Sequence, residues 1–452
     1  MSAVETLISY AKLPDPFRNP PANLVELQLE AVRERFKERR EQIKILDKRA
    51  RDAGISEINT WQDIVPLLFA HTNYKSYPEA FIDNGQWRGM NAWLQTLSAY
   101  PTENIKVEGI RDVDDWLDNA RDAGHFIFAS SGTSGKSSFL NQSGKDREFS
   151  FPAYWAAFDL ASPSFKPNQD RVVFAQMPPK GVHKLTEIVD QQFRRIARPG
   201  EIYRVSDDPI LAMETIRPAQ LRRLIASGKA SPNDIVAYEE TLAKRQAQRA
   251  VAMERWVDKF IEKRHEPLYM GMFWGATYNL VETLRARGIK SGDFHPDLVL
   301  SLGGGTKGAK LPPDYREQII EFFGLDEMRM PNNYGMVELS GLFPYLQDLG
   351  AYAIAPWIVP LILNKSGEQL LNPQDGKGTV EGRMAFFDVL ADARWGGIIS
   401  GDKVTVEFAP NRAGITGPIV KSIARYADLK EGEDKLSCAG TIDAYVRGAV
   451  AA

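Results

Sequence analysis

Residues 126–138 read Phe-Ile-Phe-Ala-Ser-Ser-Gly-Thr-Ser-Gly-Lys-Ser-Ser, and this stretch constrains the chain more than any other. Phe126, Ile127, Phe128 and Ala129 make a short apolar run of the kind a buried strand needs. The run empties into a loop of Ser, Gly and Thr with a single cation, Lys136. Small residues leave backbone N–H groups open, and the hydroxyls and the ammonium add further donors. That is a donor set for a polyphosphate. A plain Ser/Gly linker is the alternative reading, but flexible linkers seldom come directly after a buried strand.

Two kinds of phosphate loop are separated by the element on the loop's C-terminal side. A Walker A loop has the form Gly-x-x-x-x-Gly-Lys-Ser/Thr and opens a helix. Gly135, Lys136 and Ser137 match its end, but Ser130 stands at its first glycine. Residues 138–144 alternate and then reach Ser143-Gly144, which predicts a strand and a turn, not a helix start. Strand, Ser/Thr/Gly loop, strand resembles the phosphate loop of the adenylate-forming (ANL) superfamily: acyl-CoA synthetases, peptide-synthetase adenylation domains and luciferases. The lysine directly after the last glycine is most similar to phenylacetate-CoA ligases and to the acyl-protein synthetases of bacterial luminescence.

Bulk properties narrow the class further. At 452 residues the chain can build two or three packed layers or domains. A net charge of −3 provides no global basic field, so nucleic acid is not expected as a partner. No apolar run reaches the roughly 18 residues of a membrane-spanning helix, and no signal peptide is apparent. One cysteine, Cys438, excludes an intrachain disulfide framework and fits a reducing cytoplasm. Five scattered histidines give no zinc spacing.

In chain order, residues 1–22 are Pro-rich and predict an extended arm. One long helix is expected over 24–53, capped by Asn23 and stopped by Gly54. A short helix is expected over 60–69, capped by Thr60. Residues 71–100 are rich in aromatics (Tyr74, Tyr77, Phe81, Trp87, Trp93), read as packing, with an aryl pocket as the alternative. Helices are predicted over 113–123, 149–162, 211–223 and 314–323, and strands over 171–176, 202–206 and 297–301. Ser231-Pro232 opens a second long helix reaching about residue 263. Residues 268–274 then predict a strand, a tight turn and a helix over 277–287. Gly271 and Gly275 beside Phe273 and Trp274 allow close backbone approach, for an acyl tunnel or for core packing. Residues 378–387 and 397–408 read as short strands.

Further motifs occur in superfamily order. Gly303, Gly304 and Gly305, after the strand at 297–301, resemble the element that lays backbone against adenine. As a Gly-x-Gly-x-x-Gly dinucleotide motif the run fails, because Leu311-Pro312-Pro313 intervenes before the next helix. Asn332-Asn-Tyr-Gly-Met-Val-Glu338 resembles Tyr-Gly-x-Thr/Ser-Glu, with Val337 in place of the hydroxyl residue. Ser400-Gly401-Asp402 resembles Thr-Gly-Asp. Cys438-Ala-Gly-Thr-Ile-Asp-Ala-Tyr-Val-Arg-Gly448 resembles the hinge segment, with Thr441 where an arginine is expected.

The resemblance implies an α/β fold: stacked mixed β-sheets flanked by helices, plus a small β-barrel-like subdomain. The implied boundaries are a helical part at 1–110, a nucleotide-binding core at 111–345, a β-rich subdomain at 346–439 and a hinge remnant at 440–452. The C-terminal lid domain is expected to be absent. The implied reaction is ATP-dependent activation of a carboxylic acid to an acyl-adenylate, with transfer to CoA, a carrier thiol, an amine or Cys438. Lys136, Thr133 and Glu338 would be catalytic, with Glu338 and Thr133 on Mg²⁺. Ser130, Ser131, Gly132, Ser134 and Gly135 would cradle the phosphates. Gly303, Gly304, Gly305, Asn333, Tyr334, Gly335 and Asp402 would hold adenosine. His183, Trp274 and Gly275 would line the acyl pocket. ATP and Mg²⁺ are the implied cofactors, with CoA as a possible co-substrate. A small carboxylic acid, an acceptor or carrier protein and a separate lid-domain partner are the implied partners. A catalytically degenerate nucleotide- or acyl-binding protein is the second reading, favoured by Val337 and Thr441.

Overall fold

Arg171–Ala175 reads Arg-Val-Val-Phe-Ala and is buried along its whole length. In the computed structural model it sits second in a four-stranded parallel sheet, between Ala197–Arg204 and Leu268–Phe273, with Val299–Gly303 beyond. Alternate residues feed two cores, as strand pleating requires. Val172 and Phe174 join Met270 and Leu300 in a core with Trp256, Phe260, Leu284 and Phe322. Val173 and Ala175 join Tyr269 and Val299 in another with Phe193 and Ile196. The structure describes residues 1–130, 136–162, 164–303, 310–410, 412–426 and 429, with Asp234 by its backbone only.

The chain divides into two compact units, Met1–Ala157 with Gly335–Ala452, and Phe158–Tyr334. The parallel sheet belongs to the second. Its helices are Lys184–Ile196, Met213–Ala226, Pro232–Lys263, Trp274–Ala286 and Tyr315–Phe323. The long helix matches its Ser-Pro start and its predicted end. Gly271 owes its identity to packing: a Cβ there would come within 2.6 Å of the Phe193 ring.

The first unit is built on an antiparallel sheet in the order Ile358–Leu363, Gly378–Asp388, Gly397–Phe408, Ile419–Arg425, Ala351–Ala353, Phe343–Leu346. Gly378–Asp388 and Gly397–Phe408 run 11 and 12 residues, within one residue of the bounds read from the sequence. The two-residue strand Phe69–Ala70 pairs in parallel with Ile398 and Ile399. Phe126–Ala129 and Phe139–Gln142 form the expected antiparallel hairpin.

Three local expectations are corrected. The N-terminal arm holds a helix, Ala3–Tyr10, started by a Ser2/Glu5 capping box that buries Ala3 and Leu7. The helix expected over 24–53 breaks at Ile43 into Leu24–Gln42 and Lys44–Asp52. Ile43, Ile45 and Leu46 are all fully buried. On one straight helix residues 43 and 45 would point about 200° apart, so extended backbone at Ile43 resolves the conflict. Finally, Ser143-Gly144 is a helix start: the helix spans Gly144–Ala161. Ser143 N–H donates to the Asp146 carboxylate at 2.7 Å, and Asp146 N–H donates to the Ser143 hydroxyl at 3.1 Å. A strand still separates this helix from Lys136, so the context is not that of a Walker loop.

Candidate active site

Residues 69–77 form the scaffold of the site. Phe69 and Ala70 are fully buried against the strand that carries Asp402. Arg49 Nη1 donates to the Leu68 carbonyl at 2.5 Å, and the Trp395 indole donates to the Leu67 carbonyl at 2.9 Å, so the approach is fixed from both sides. A single 3₁₀ turn, His71–Lys75, comes next. It packs on Gly397–Phe408 and on Phe139–Gln142, the strand leaving the phosphate loop.

The loop closes at a neck made by one of its own serines. Ser130 N–H donates to the Ser138 carbonyl at 3.0 Å, and Ser138 N–H donates to the Ser130 hydroxyl at 2.9 Å. Ser131, Gly132, Thr133, Ser134 and Gly135 lie outside the described residues. Past them, Lys136 lies over the Tyr77 ring, 4.3 Å from its centroid, and its ammonium donates to the Tyr77 carbonyl. The Tyr77 hydroxyl donates to the Ser137 carbonyl at 2.9 Å. Phe139, next along, packs 5.2 Å from Tyr77 and 5.9 Å from Trp116. Tyr74, Tyr77, Phe81, Trp87 and Trp93 are all buried, which is the packing role expected of this aromatic stretch.

Glu338 meets the same scaffold. It is buried, and burial pushes its carboxyl above the usual carboxylate range. A backbone hydrogen bond and the charges of His71, Arg394 and Lys75 oppose that shift without overcoming it. Arg394, 1% exposed, donates from Nη2 to the Glu338 carbonyl at 2.5 Å. Burial works to lower the Arg394 pKa, but Tyr74, Asp388, Asp146 and Glu338 outweigh it and raise the pKa. Tyr74 is pushed up to about 12, chiefly by burial. Burial lowers the Lys75 ammonium, which Glu338 supports and Arg425 opposes.

Arg394 is set in place from the helix start at Ser143. Asp146 accepts the N–H groups of Asp392 and Ala393 at 2.7 and 2.8 Å. Asp392 in turn accepts from Arg39 at 3.0 Å, Tyr100 at 2.6 Å and Ser143 at 2.7 Å. On the far side, Asp388 accepts the Ser340 N–H at 2.7 Å.

Asp402 is held by its neighbours. Its N–H donates to the Ser400 hydroxyl at 3.1 Å, and that hydroxyl donates to the Met384 carbonyl at 2.8 Å. Ser400 therefore pins the strand just before Asp402. The Asp402 carboxylate faces Arg425 Nε at 3.9 Å.

Nucleotide and metal chemistry fits these residues. Arg394 Nε and Nη1, the Tyr74 and Ser340 hydroxyls and both amide atoms of Asn73 are buried with no hydrogen-bond partner among the described residues. A buried polar group left unpaired costs about 1–3 kcal/mol, so the surroundings of Glu338 are built for polar company. Among the described residues no group of three or more His, Cys, Asp and Glu could hold a metal ion by itself. A single carboxylate suits Mg²⁺ that takes its other ligands from phosphates and water.

Gly335 is exposed, and Leu342 Cδ2 stands where a Cβ would lie. In the second unit, His183 is the N-cap of Lys184–Ile196, and its carbonyl accepts from the Thr186 hydroxyl at 2.6 Å. Trp274 packs edge-on to Tyr315 at 5.8 Å, under Arg316, and Gly275 comes next in the helix. Gly303 ends its strand, while Gly304 and Gly305 lie outside the described residues, as does Cys438 with the hinge segment. Asn333 and Tyr334 form a two-residue strand. His71, Tyr74, Lys75 and Arg394 do not stand out as site residues in the sequence. They belong to no motif, and the pairing of Phe69–Ala70 with Ile398–Ile399 sets the turn carrying the first three against the strand of Asp402.

No family model and no curated relative matches the chain. Solved structures do. Over 92% of this chain and 72% of the other, it is similar at TM-score 0.53 and 11% identity to 2-hydroxyisobutyryl-CoA ligase in the postadenylation state, in complex with R3-HIB-AMP. The open conformation of that ligase, in complex with 2-HIB-AMP and CoA, matches at TM-score 0.50 and 11% identity over 89% and 70%. The chain therefore has the mixed α/β fold of the adenylate-forming enzymes. No helix of the described residues is long and apolar enough to cross a membrane.

Proposed function

We propose that the protein activates a small carboxylic acid with ATP. The acid's carboxylate attacks the α-phosphate: one C–O–P bond forms, the bond to the β-phosphate breaks, and pyrophosphate leaves. CoA or another thiol or amine then attacks the acyl carbon and gives up its proton; the bond from that carbon to the phosphate oxygen breaks, and AMP leaves. One observation carries most of the weight. Three stretches far apart in sequence, Lys136 with Ser137, Glu338, and the Asp402 strand, all meet residues 69–77.

In this reading the loop N–H groups and Lys136 bind the polyphosphate, and Asp402 accepts from the ribose hydroxyls. Glu338, together with phosphate oxygens, would hold Mg²⁺, which supplies charge neutralisation on the phosphates. The rest is positioning and electrostatics, as phosphate chemistry requires. The Ser130–Ser138 neck and the Tyr77 clamp hold the loop's two ends and its lysine.

Calorimetric titration with ATP, with and without Mg²⁺, tests the reading. Micromolar binding that strengthens with Mg²⁺ is expected, and Glu338→Gln should abolish the strengthening. An absence of any ATP binding sinks the proposal.

A further inference from the structure

We infer that Lys75 is a phosphate-binding residue, placed to neutralise the α-phosphate of the nucleotide. The inference rests on the proposed adenylation and deepens it. Lys75 ends the 3₁₀ turn His71–Lys75, which packs on two strands at once: the one leaving the phosphate loop and the one carrying Asp402. Its ammonium feels the charge of the Glu338 carboxyl, which favours it, and that of Arg425, which opposes it. Arg425 in turn faces Asp402 at 3.9 Å. Lys75 thus belongs to a turn packed on the strand of the group proposed for the ribose, and its charge reaches the group proposed for the metal. A nucleotide held at both ends has its α-phosphate between them.

The chemistry of that position asks for a cation. Attack at the α-phosphate builds negative charge on its oxygens, and a fixed positive group stabilises that charge in a half-buried site. Lysine is a compact charge on a rotatable stem, suited to tracking the phosphorus as its geometry changes. Lys136, assigned above to the polyphosphate, is held at the end of the loop by the Tyr77 carbonyl. Arg394 is engaged behind Glu338, on that residue's own carbonyl.

The test uses the full chain with Lys75→Gln, Lys75→Met and Lys75→Arg. ATP, AMP and adenosine are titrated in the presence of Mg²⁺, and melting curves establish that each variant is folded. Loss of one charge-assisted hydrogen bond predicts that Gln and Met weaken both ATP and AMP about tenfold. Adenosine binding should stay within about twofold, and Arg should recover most of the loss. Equal ATP affinity in the unsubstituted protein and both neutral variants overturns this inference alone. A loss for ATP but not for AMP places Lys75 at the outer phosphates and also overturns it. An unsubstituted protein that binds no ATP overturns this inference and the adenylation reading together.

Discussion

Tyr77 holds Lys136 and its neighbour at once. The Tyr77 carbonyl accepts the Lys136 ammonium, its ring lies under that ammonium at 4.3 Å, and its hydroxyl donates to the Ser137 carbonyl at 2.9 Å. One buried side chain therefore fixes where the phosphate loop rejoins the sheet. Tyr77→Phe removes the hydroxyl and strands the Ser137 carbonyl, which should cost about 1 kcal/mol of stability. The same change frees the end of the loop, so ATP affinity should fall several-fold. Equilibrium denaturation and ATP titration of this variant measure the two effects separately.

Glu338 is held against its own solvation. Burial raises its folded pKa above the unfolded value of about 4.3. A group shifted this way contributes stability that is fully present below the unfolded pKa and is lost as pH rises through the folded one. Glu338→Gln should therefore raise the melting temperature of the ligand-free protein at pH 7–8 and flatten its decline with pH. Binding of ATP should lose its dependence on Mg²⁺ in the same variant. A melting temperature that falls instead would mean that the attraction of His71, Arg394 and Lys75 outweighs burial.

Asp392 shows the opposite sign. Burial works to raise its pKa, but the hydrogen bonds of Tyr100 and Ser143 and the charges of Arg39 and Arg35 win, and its pKa is lowered. Its contribution is present above the unfolded pKa of about 3.9 and is lost as pH falls through the lower folded value. Asp392→Asn should cost about 1–3 kcal/mol at pH 7, because Arg39 loses one of its two carboxylate partners and keeps Glu38. The variant should also lose part of the acid-induced fall in stability. Melting curves between pH 2 and pH 7 read both effects.

Much of the fold was legible in the sequence where the signal was local. The strand, Ser/Gly loop and strand at 126–142 stood out because alternation and small residues act over a few positions. Ser231-Pro232 announced the long helix for the same reason. The helix starts at Ser2 and Ser143 were equally local, as serine with an acid three residues on, but nearby prolines and an adjacent Gly suggested an arm and a turn instead. The break at Ile43 was not legible, because it depends on the core taking all three of Ile43, Ile45 and Leu46, which no local pattern announces. The scaffold role of His71–Lys75 was out of reach too. It arises from a parallel pairing with Ile398 and Ile399, and no pattern within residues 69–75 points to that partner. Nothing in the sequence marks Arg394, since arginines are seldom fully buried unless paired.

The most direct test of the central claim is pyrophosphate release from ATP and Mg²⁺ across a panel of small hydroxy, fatty, aryl and amino acids, run beside Lys136→Ala and Glu338→Ala. The account predicts release with one class of acid, and a loss of about tenfold or more in each variant, as expected when one charge-stabilising group is removed. Binding of ATP without release of pyrophosphate for any acid would contradict adenylation and leave a nucleotide-binding protein in its place.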